Sequence, residues 1–451
     1  MIKLTLKEII EIVDGKFSGQ EKSLEINISS ISIDSRTINK NDLFIAIEGN
    51  NFDGNNFVNE AMKNGANFSI VSDPKINYEG TILVENGKKS LISIASFIRE
   101  NSQPKVIAIT GSNGKTTTKE IIVSILKNHS DKEKVLFTKG NFNNNIGLPL
   151  TLVNLNESHK YAVLELGMNH AGEIAKLSKI ARPHIAVITN IGEAHIENFR
   201  SKDNIAEAKK EILSHSNQLE FAVLPRDDDY FKFLAKGKDS INQLTFGLSE
   251  DSTISYKILE NSKIKIITPK ESFDVNIKLL GTHNLQNVLA ACACCYALDI
   301  PSNSIREGIE LIRPFPGRLE TTSAFNGAKI IDDSYNANPS SMKEAIDVLF
   351  LMKGTRILVI GDMAELGSET NKYHQELGDY IRSSQIDFTL AIGRHTKITM
   401  QQLGKEEFWF DSKDALLRKL FKIIDPKSTV LVKGSRFMKM EDIVSKLRTG
   451  K

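Results

Sequence analysis

Hydrophobic residues in the middle of the chain form short unbroken runs, each followed by a polar or glycine-containing turn and a helix-like pattern. Residues 106–109, 161–164 and 185–188 are runs of this kind. Unbroken apolar runs of about four to eight residues are typical of strands buried on both faces of a parallel sheet. Because these runs alternate with helical segments, they predict an α/β unit between about residues 83 and 313.

The elements before this unit are shorter. Apolar residues between Leu6 and Val13 have the spacing of one helix face, and residues 30–33 and 43–47 are short β-rich runs. We therefore expect a small α/β module over residues 1–82.

The elements after this unit follow a helix-breaking cluster, Pro-Phe-Pro-Gly, at residues 314–317. The alternation of apolar strand and helix then resumes, with strand-like runs at 329–331, 356–360 and 430–432. The remainder of the chain is accordingly predicted to be a second doubly wound unit, residues 314–451.

Composition narrows the function classes. The chain has 451 residues, enough for about three domains at the usual ~150 residues each. Its 58 basic and 56 acidic side chains give a formal charge of only +2. That balance leaves no electrostatic surplus for nucleic acid or anionic lipid, so we expect neither as a partner.

The N-terminal residues carry charges and lack an apolar signal core, so we expect neither secretion nor membrane insertion. Cys292, Cys294 and Cys295 fall within one predicted helix, where their spacing allows neither a disulfide nor a zinc site. A cytoplasmic protein with reduced thiols is expected.

A phosphate-binding loop follows the run at 106–109. Residues 110–120, TGSNGKTTTKE, read as a strand end, a glycine-bearing turn and a helix start. Glycines let backbone N–H groups face a phosphate, while Lys115 and Thr116 supply a cation and a hydroxyl for Mg²⁺. The competing interpretation is a tight turn with a surface lysine, but the strand before it and the helix after it favour nucleotide binding. The residues expected to hold the nucleotide phosphates are Gly111, Ser112, Asn113, Gly114, Lys115, Thr116 and Thr117.

The loop is a short TGxxGKT variant, because the full GxxxxGK[ST] spacing would require glycine at Ile109. The sequence contains no guanine-reading Asn-Lys-x-Asp after it and no Gly-x-Gly anywhere. These observations argue against a GTPase and against a dinucleotide-dependent dehydrogenase. The fold prediction is therefore α/β in three domains: a small N-terminal α/β module (1–82), a central P-loop ATPase-like parallel sheet (83–313) and a C-terminal Rossmann-like doubly wound domain (314–451).

Two further polar residues fall near the ends of predicted parallel strands. Glu165 ends the run at 161–164, and His195 follows the run at 185–188. Carboxyl ends of parallel strands converge on a ligand crevice, so both side chains are expected near the phosphates. Mg²⁺ on a nucleotide prefers carboxylate oxygens, which suits Glu165 well and His195 less obviously. Each is equally well explained as a polar cap or loop residue. Lys209 reads locally as one of several exposed helical charges.

Seven motifs carry a resemblance to the Mur ligase family over essentially the whole chain, in family order. They are TGSNGKTTTKE (110–120), GNFNNNIGLPLTL (140–152), LELGMNHAGEI (164–174), TNIGEAHIENF (189–199), GTHNLQN (281–287), FPGRLE (315–320) and DDSYNANPSSM (332–342). DSYNANPSSM and GDMAELG (361–367) are similar to the motifs of the members that add D-alanyl-D-alanine.

The resemblance implies an ATP-dependent ligase that activates the carboxylate of UDP-N-acetylmuramoyl-tripeptide as an acyl phosphate and joins it to D-alanyl-D-alanine. Such an enzyme serves peptidoglycan synthesis, and through it cell shape and cell division. The resemblance also implies ATP, two Mg²⁺ sites and a carbamate formed from CO₂ on Lys209. We expect a monomer.

Site residues are implied by position in these motifs. Lys115, Lys209, His195 and Arg318 would be catalytic, and Asn284, Asn287, Arg318 and Asp333 would join the phosphate loop in holding the nucleotide. The Mg²⁺ ligands would be Thr116, Glu165, His195 and Lys209. The substrate contacts would be Asp34, Ser35, Arg36, Asn143, Asn144, Asn336 and Asn338.

Local structure offers an alternative for several of these positions. Asn284 and Asn287 could cap the helix expected at 285–298, and the stretch with Asn336 and Asn338 could be a loop that merely caps the helix expected at 340–351. Asn143 and Asn144 could form a plain turn, and Asn145 stands where relatives commonly have an acidic residue.

Other function classes stay open at this point. They are another amino-acid-adding Mur ligase or a folylpolyglutamate-type ligase, a P-loop ATPase that hydrolyses ATP without ligation, and a nucleotide-binding protein without catalysis.

Overall fold

The structure is a computed structural model that describes residues 3–49, 52–214, 216–237, 240–259 and 263–450. Within these ranges it is an α/β protein, and most of its strands pair in parallel, as predicted. Three sheets follow one another along the chain, and a small antiparallel sheet is attached to the second.

The N-terminal sheet has the strand order β1-β5-β4-β3-β2, with β1 antiparallel to β5 and the other pairs parallel. A capping box between Thr5 and Glu8 starts its first helix, which buries Leu6 and Ile9. The elements are α1 Leu6–Val13, β1 Lys16–Ser18, β2 Ile31–Ser32, β3 Leu43–Ile45, α2 Val58–Asn64, β4 Phe68–Val71 and β5 Thr81–Leu83.

The central sheet has six parallel strands in the order β11-β10-β9-β6-β8-β7. Its elements up to β11 are α3 Gly87–Glu100, β6 Lys105–Thr110, α4 Lys115–His129, β7 Val135–Phe137, α5 Gly147–Leu152, β8 Tyr161–Glu165, α6 Glu173–Ala181, β9 Ile185–Ile188, α7 Ile196–Phe199, α8 Lys202–Lys210, β10 Phe221–Pro225, α9 Phe231–Ala235 and β11 Asn242–Phe246. The chain leaves β6 toward β7 on one side of the sheet and leaves the adjacent strand β9 toward β10 on the other side, so the connections reverse direction between β6 and β9. Such a switch point is where α/β sheets bind ligands.

A three-stranded antiparallel sheet, which the sequence interpretation did not anticipate, follows β11. Its middle strand alternates buried Ile264 and Ile266 with lysines on the other face, a period-two pattern typical of a half-buried strand. The remaining elements of this part of the chain are β12 Ser255–Ile258, β13 Lys263–Ile267, β14 Ser272–Asn276, α10 Thr282–Ala297 and α11 Ser302–Glu310.

The C-terminal sheet has the order β15-β16-β20-β17-β18-β19, parallel except for the edge strand β15. Adjacent residues of one strand enter different cores, with Ile331 on the α12 and α13 side and Ile330 on the α15 and α16 side. The sheet is therefore covered on both faces, as a doubly wound domain requires. The elements are β15 Glu320–Ser323, β16 Lys329–Asp333, α12 Pro339–Phe350, β17 Arg356–Gly361, α13 Thr370–Ser383, β18 Phe388–Ile392, α14 Thr396–Leu403, β19 Trp409–Phe410, α15 Lys413–Ile423, β20 Thr429–Lys433 and α16 Glu441–Thr449.

The three cysteines lie together on the buried face of α10. Burial raises the pKa of the Cys292 and Cys294 thiols well above the ordinary range, so they behave as small apolar groups. In the part of the chain that is described, no helix is both long and apolar enough to cross a membrane. The domain boundaries at 82/83 and 313/314 stay a prediction.

Candidate active site

A cavity of about 510 Å³ lies between the carboxyl edge of the central sheet and the C-terminal sheet. Most of the residues singled out from the sequence line it. They are Ser112, Asn113, Gly114, Lys115, Thr116, Thr117, Asn143, Asn144, Glu165, His195, Asn284, Asn287, Arg318, Asp333, Asn336 and Asn338. We call this cavity the cleft, and its two sides the central wall and the C-terminal wall.

The phosphate loop connects β6 to α4, and its conformation depends on two glycines. Gly111 and Gly114 have φ values of 153° and 78°, which favour glycine. A Cβ on Gly114 would lie 2.1 Å from Asn287 Oδ1, so a side chain there would collide with α10. Lys115 Nζ donates to the carbonyl oxygens of Gly111 at 2.6 Å and Ser112 at 3.3 Å. Burial lowers the pKa of Lys115.

Two residues that follow β9 hold the phosphate loop through hydrogen bonds. The sequence had not indicated a role for either. Asn190 Oδ1 accepts a hydrogen bond from the Asn113 backbone N–H at 2.9 Å, and Thr189 Oγ1 donates to the Asn113 carbonyl at 2.5 Å. Both residues begin the TNIGEAHIENF motif, which was the available signal. The loop therefore keeps its shape through contacts within the central wall.

Glu165, at the end of β8, is buried, and each of its carboxylate oxygens accepts a hydrogen bond from a neighbouring side chain. Thr116 Oγ1 donates to one at 2.9 Å, and Asn143 Nδ2 donates to the other at 2.8 Å. Lys119, on the buried face of α4, donates to the Thr138 carbonyl at 2.6 Å, and Thr138 Oγ1 accepts from the Glu165 backbone N–H at 3.0 Å. Lys119 lies within the loop motif, but its position in the sequence does not reveal that its side chain is buried, so no role was predicted for it.

His195 begins α7 with a left-handed backbone, φ 63°. Its Nδ1 lies 2.5 Å from Oε2 of Glu365, which belongs to the C-terminal wall. The contact with His195 lowers the pKa of Glu365, although its geometry is not that of a regular hydrogen bond. Glu365 lies in the GDMAELG motif, but nothing in the sequence indicated its partner.

Lys209, in the last turn of α8, is only 2% exposed. The local interpretation of an exposed helical charge was therefore wrong, because α8 turns this position toward the interior. Burial, with a smaller contribution from the charge of Lys115, lowers the pKa of Lys209 well below its ordinary value. No ion pair to Lys209 is present in the described ranges.

The C-terminal wall brings Arg318 and Asp333 to the phosphate loop. Arg318 Nη2 donates to Thr116 Oγ1 at 3.2 Å, and its guanidinium lies 4.2 Å from the ring centre of Tyr335. Asp333 Oδ2 accepts from Lys433 Nζ at 2.6 Å, and burial raises the pKa of Asp333 despite this cation. Lys433 was not singled out, although the strand-end rule that identified Glu165 applies equally to this last residue of β20.

Asn338 both caps a helix and bridges the two walls. Its Oδ1 accepts from the Ser341 backbone N–H at 2.9 Å, and its Nδ2 donates to Asn113 Oδ1 at 2.7 Å. Asn113 Nδ2 donates in turn to Ser340 Oγ at 2.8 Å. Asn336 faces the cleft and accepts a hydrogen bond from Lys433 through its backbone carbonyl at 2.9 Å.

Asn284 and Asn287 lie inside the first turns of α10 and do not cap it. The helix begins at Thr282, three residues earlier than the predicted start at Leu285, and its N-cap is Gly281. Asn287 Nδ2 donates to Asn284 Oδ1 at 3.1 Å, and its Oδ1 accepts from Thr118 Oγ1 at 3.3 Å. The pair thus joins α10 to the helix that follows the phosphate loop.

Asn144 forms the turn considered from the sequence, because its Oδ1 accepts from the backbone N–H groups of Ile146 and Gly147 at 3.1 and 2.9 Å. The N-terminal candidates do not line the cleft. Asp34 accepts two hydrogen bonds from the guanidinium of Arg36, at 2.8 and 2.7 Å, and these lower the pKa of Asp34 to about 2. Ser35 is buried between them.

The fold and cleft define a family. The chain matches the descriptions "Mur ligase family, catalytic domain" over residues 27–110, "Mur ligase middle domain" over 109–295 and "Mur ligase, glutamate ligase domain" over 317–436. The chain belongs to the Mur ligase family, which confirms the prediction.

Two relatives named UDP-N-acetylmuramoyl-tripeptide–D-alanyl-D-alanine ligase are similar over nearly their whole length. The protein from Buchnera aphidicola subsp. Baizongia pistaciae is 38% identical, with 99% of this chain and 98% of the relative covered. The protein from Escherichia coli is 34% identical, with 99% of both chains covered.

Solved structures agree with these relatives. The crystal structure of MurF from Acinetobacter baumannii has a TM-score of 0.91 at 33% identity, with 99% of both chains covered. That of MurF ligase from Thermotoga maritima in complex with ADP has a TM-score of 0.83 at 29% identity, covering 93% of this chain and 97% of that one. The predicted three-domain α/β fold is thereby confirmed.

Proposed function

We propose that this protein joins D-alanyl-D-alanine to UDP-N-acetylmuramoyl-tripeptide with the cleavage of ATP to ADP and phosphate, giving the pentapeptide precursor of peptidoglycan. The observation that carries the proposal is the cleft, in which a phosphate loop faces a cation from another domain. Arg318 reaches Thr116 at 3.2 Å across that interface. The near full-length similarity to relatives of this name specifies the substrates.

ATP is assigned to the cleft with its phosphates on the loop from Gly111 to Thr117. Lys115 now donates to two loop carbonyls, and its ammonium group can exchange these for phosphate oxygens. Asn284 and Asn287 are assigned to the adenine end because they line the cleft on α10 beside the loop. Asp333 is assigned to the ribose, and Arg318 to the phosphates.

The donor set fits Mg²⁺. Thr116 and Glu165 offer a hydroxyl and a carboxylate already 2.9 Å apart, and His195 offers the ring nitrogen that Glu365 does not contact. No group of three His, Cys, Asp or Glu side chains gathers as a metal site in the described ranges. Phosphate oxygens and a carbamate on Lys209 would complete two sites. Mg²⁺ would neutralise the charge of the phosphates.

Lys209 is suited to carbamate formation because its amine is buried, and burial favours the neutral form that can attack CO₂. The neutral amine attacks the carbon of CO₂, an N–C bond forms, one proton is released, and the product is a carbamate anion in place of a neutral amine. An anion at this position would balance Lys115 and the metal ions.

The reaction needs little covalent participation from the protein. The terminal phosphoryl group passes from ATP to the peptide carboxylate, which gives an acyl phosphate and ADP. The amine of D-alanyl-D-alanine then attacks the carbonyl carbon, loses a proton and displaces phosphate. Lys115 and Arg318 offset the negative charge that develops in both steps.

The peptide, the dipeptide and the uridine nucleotide are assigned to positions outside the phosphate loop. Asn143 and Asn144 border the cleft beside Glu165, and Asn336 and Asn338 border it on the C-terminal wall, so we assign the peptide and the dipeptide to the space between them. Asp34, Ser35 and Arg36 are assigned to the uridine nucleotide in the N-terminal domain.

Domain 1–82 would then bind the uridine nucleotide of the substrate, domain 83–313 would bind ATP, and domain 314–451 would close over the cleft. Three free buried cysteines are compatible with a reducing cytoplasm, where we place the reaction, and we expect a monomer.

ADP release with UDP-N-acetylmuramoyl-tripeptide tests the proposal, with D-alanyl-D-alanine, D-alanine, D-glutamate and L-lysine compared as second substrates. We expect turnover only with the dipeptide. Equal ADP release without any amine would instead indicate a non-ligating ATPase, and preference for a single amino acid would indicate a different ligase of this family.

A further inference from the structure

The GDMAELG segment, residues 361–367, forms a contact that the proposed function leaves unexplained. It follows β17 of the C-terminal sheet and reaches across the cleft to α7 of the central domain. Glu365 Oε2 lies 2.5 Å from His195 Nδ1, and the Glu365 carbonyl accepts from the Glu197 backbone N–H at 3.2 Å. Gly367 lies against the Glu197 side chain. One side-chain contact and one backbone contact therefore align the two segments.

Both partners have an uncommon backbone. His195 and Glu365 have φ values of 63° and 62°, a left-handed conformation that non-glycine residues seldom adopt. Such positions persist where surrounding structure holds them and are concentrated at functional sites. Here both lie at one contact between domains.

The base of the segment is fixed in its own domain. Asp362 Oδ1 accepts from the Thr396 backbone N–H at 2.8 Å, and its carbonyl accepts from the Ser435 N–H at 3.0 Å. The Met363 N–H donates to His374 Nε2 at 3.3 Å. The carboxylate of Glu365 is thus carried on a rigid support, so its position depends on the position of the whole C-terminal domain.

A carboxylate that lies against one nitrogen of an imidazole restricts the ring orientation, so that the other nitrogen can be presented to a metal. Glu365 contacts Nδ1 of His195, which lines the cleft, so Nε2 is the ring nitrogen assigned to the metal. We propose that Glu365 is a positioning residue that orients His195 as a ligand of the nucleotide-bound divalent cation, and does so only when the C-terminal domain is closed. The inference rests on the proposed function and adds a coupling between closure and metal affinity.

Mn²⁺ titration, followed by the electron paramagnetic resonance signal of the free ion with the full-length protein and a saturating non-hydrolysable ATP analogue, tests this coupling. Removing a carboxylate that orients a ligand weakens metal binding by about 10- to 100-fold. We expect Glu365→Ala to weaken Mn²⁺ binding at least about tenfold, and Glu365→Gln, which keeps an acceptor oxygen, to weaken it less.

Two controls separate positioning from simple domain docking. Glu369→Gln removes an exposed carboxylate two residues beyond the segment, where it pairs with Lys372, and should leave Mn²⁺ affinity unchanged. Ser340→Ala removes an interdomain hydrogen bond that does not involve His195, and should weaken Mn²⁺ binding less than Glu365→Ala does.

The deciding comparison is the double variant with His195→Ala. If Glu365 acts through His195, Glu365→Ala should cause no further loss of Mn²⁺ affinity in that background. Additive losses, or a wild-type Mn²⁺ affinity in Glu365→Ala, would overturn the inference. Ligation by the wild-type protein tests the proposed function separately, so failure of one is distinguishable from failure of the other.

Discussion

The two walls of the cleft are built differently. The central wall is held by contacts within its own domain, with the phosphate loop fixed by Thr189 and Asn190. The C-terminal wall reaches the site through a few individual contacts, chiefly those of Arg318 and Glu365. We therefore expect the central wall to bind nucleotide on its own, and the C-terminal wall to act only when the domains are closed. Substitutions in the two walls should therefore have different kinetic consequences.

The largest effect is expected from Lys115→Met in the central wall. The variant removes the cation that faces the phosphates, and losses of about 10³-fold in turnover are usual for groups that stabilise transferring phosphoryl groups. ADP release and nucleotide binding should both be impaired. The matched control is Lys132→Met, which removes an exposed lysine beyond the same helix. Normal nucleotide binding by Lys115→Met would contradict the role given to the central wall.

Arg318→Ala should distinguish the role of the C-terminal wall from that of the central wall. We expect turnover to fall about 100-fold, because the guanidinium is needed as charge develops, while the Kd for ATP changes far less. Arg318→Lys should restore little, since lysine lacks the planar group that lies on Tyr335 and reaches Thr116. Equal losses in binding and turnover would show that this wall contributes to ground-state binding instead.

Removal of CO₂ should produce a smaller, reversible effect. If Lys209 is carbamylated, exhaustive depletion of CO₂ should lower turnover by about tenfold or more, as loss of a metal-supporting group does, and bicarbonate should restore it. Lys209→Ala should be slow and insensitive to bicarbonate. A wild-type rate that is independent of CO₂ would show that turnover does not depend on a carbamate at Lys209.

The smallest effect concerns acid stability at the edge of the central sheet opposite the cleft. His184 Nδ1 accepts from the Val106 backbone N–H at 3.0 Å, in the strand that leads to the phosphate loop. Burial, with the nearby charges of Arg99 and Lys105, lowers the pKa of His184 to about 4. The unfolded chain binds this proton first, near pH ~6.5. The stability contributed here is therefore present above pH ~6.5 and is lost as the pH falls toward about 4.

Urea unfolding at several pH values measures this loss. In His184→Gln the fall in unfolding free energy across that interval should be shallower than in the wild type. An identical slope in both proteins would exclude His184 as a source of the acid sensitivity.

The strands of the central wall could be predicted better than the elements outside it. The strands around the phosphate loop could be predicted because strands buried on both faces leave continuous apolar runs, and their ends indicated Glu165 and His195. The antiparallel strands β12 to β14 were missed, since their alternating pattern is short and lies on an edge of the fold.

Contacts between distant segments could not be predicted. Burial of Lys209 depends on how α8 lies against the central domain, and the pairing of Glu365 with His195 depends on how two domains meet. A single sequence contains no direct record of either arrangement. The resemblance supplied a role for Lys209, but it supplied none for Glu365 or Lys433.

The central claim is that the cleft transfers the terminal phosphoryl group of ATP to a carboxyl oxygen of the peptide substrate. Mass spectrometry of the inorganic phosphate released during ligation tests it, with the α-carboxyl group of the tripeptide's last residue labelled with ¹⁸O. The account predicts one labelled oxygen in the phosphate for each peptide bond formed. Unlabelled phosphate accompanying normal product formation would contradict it.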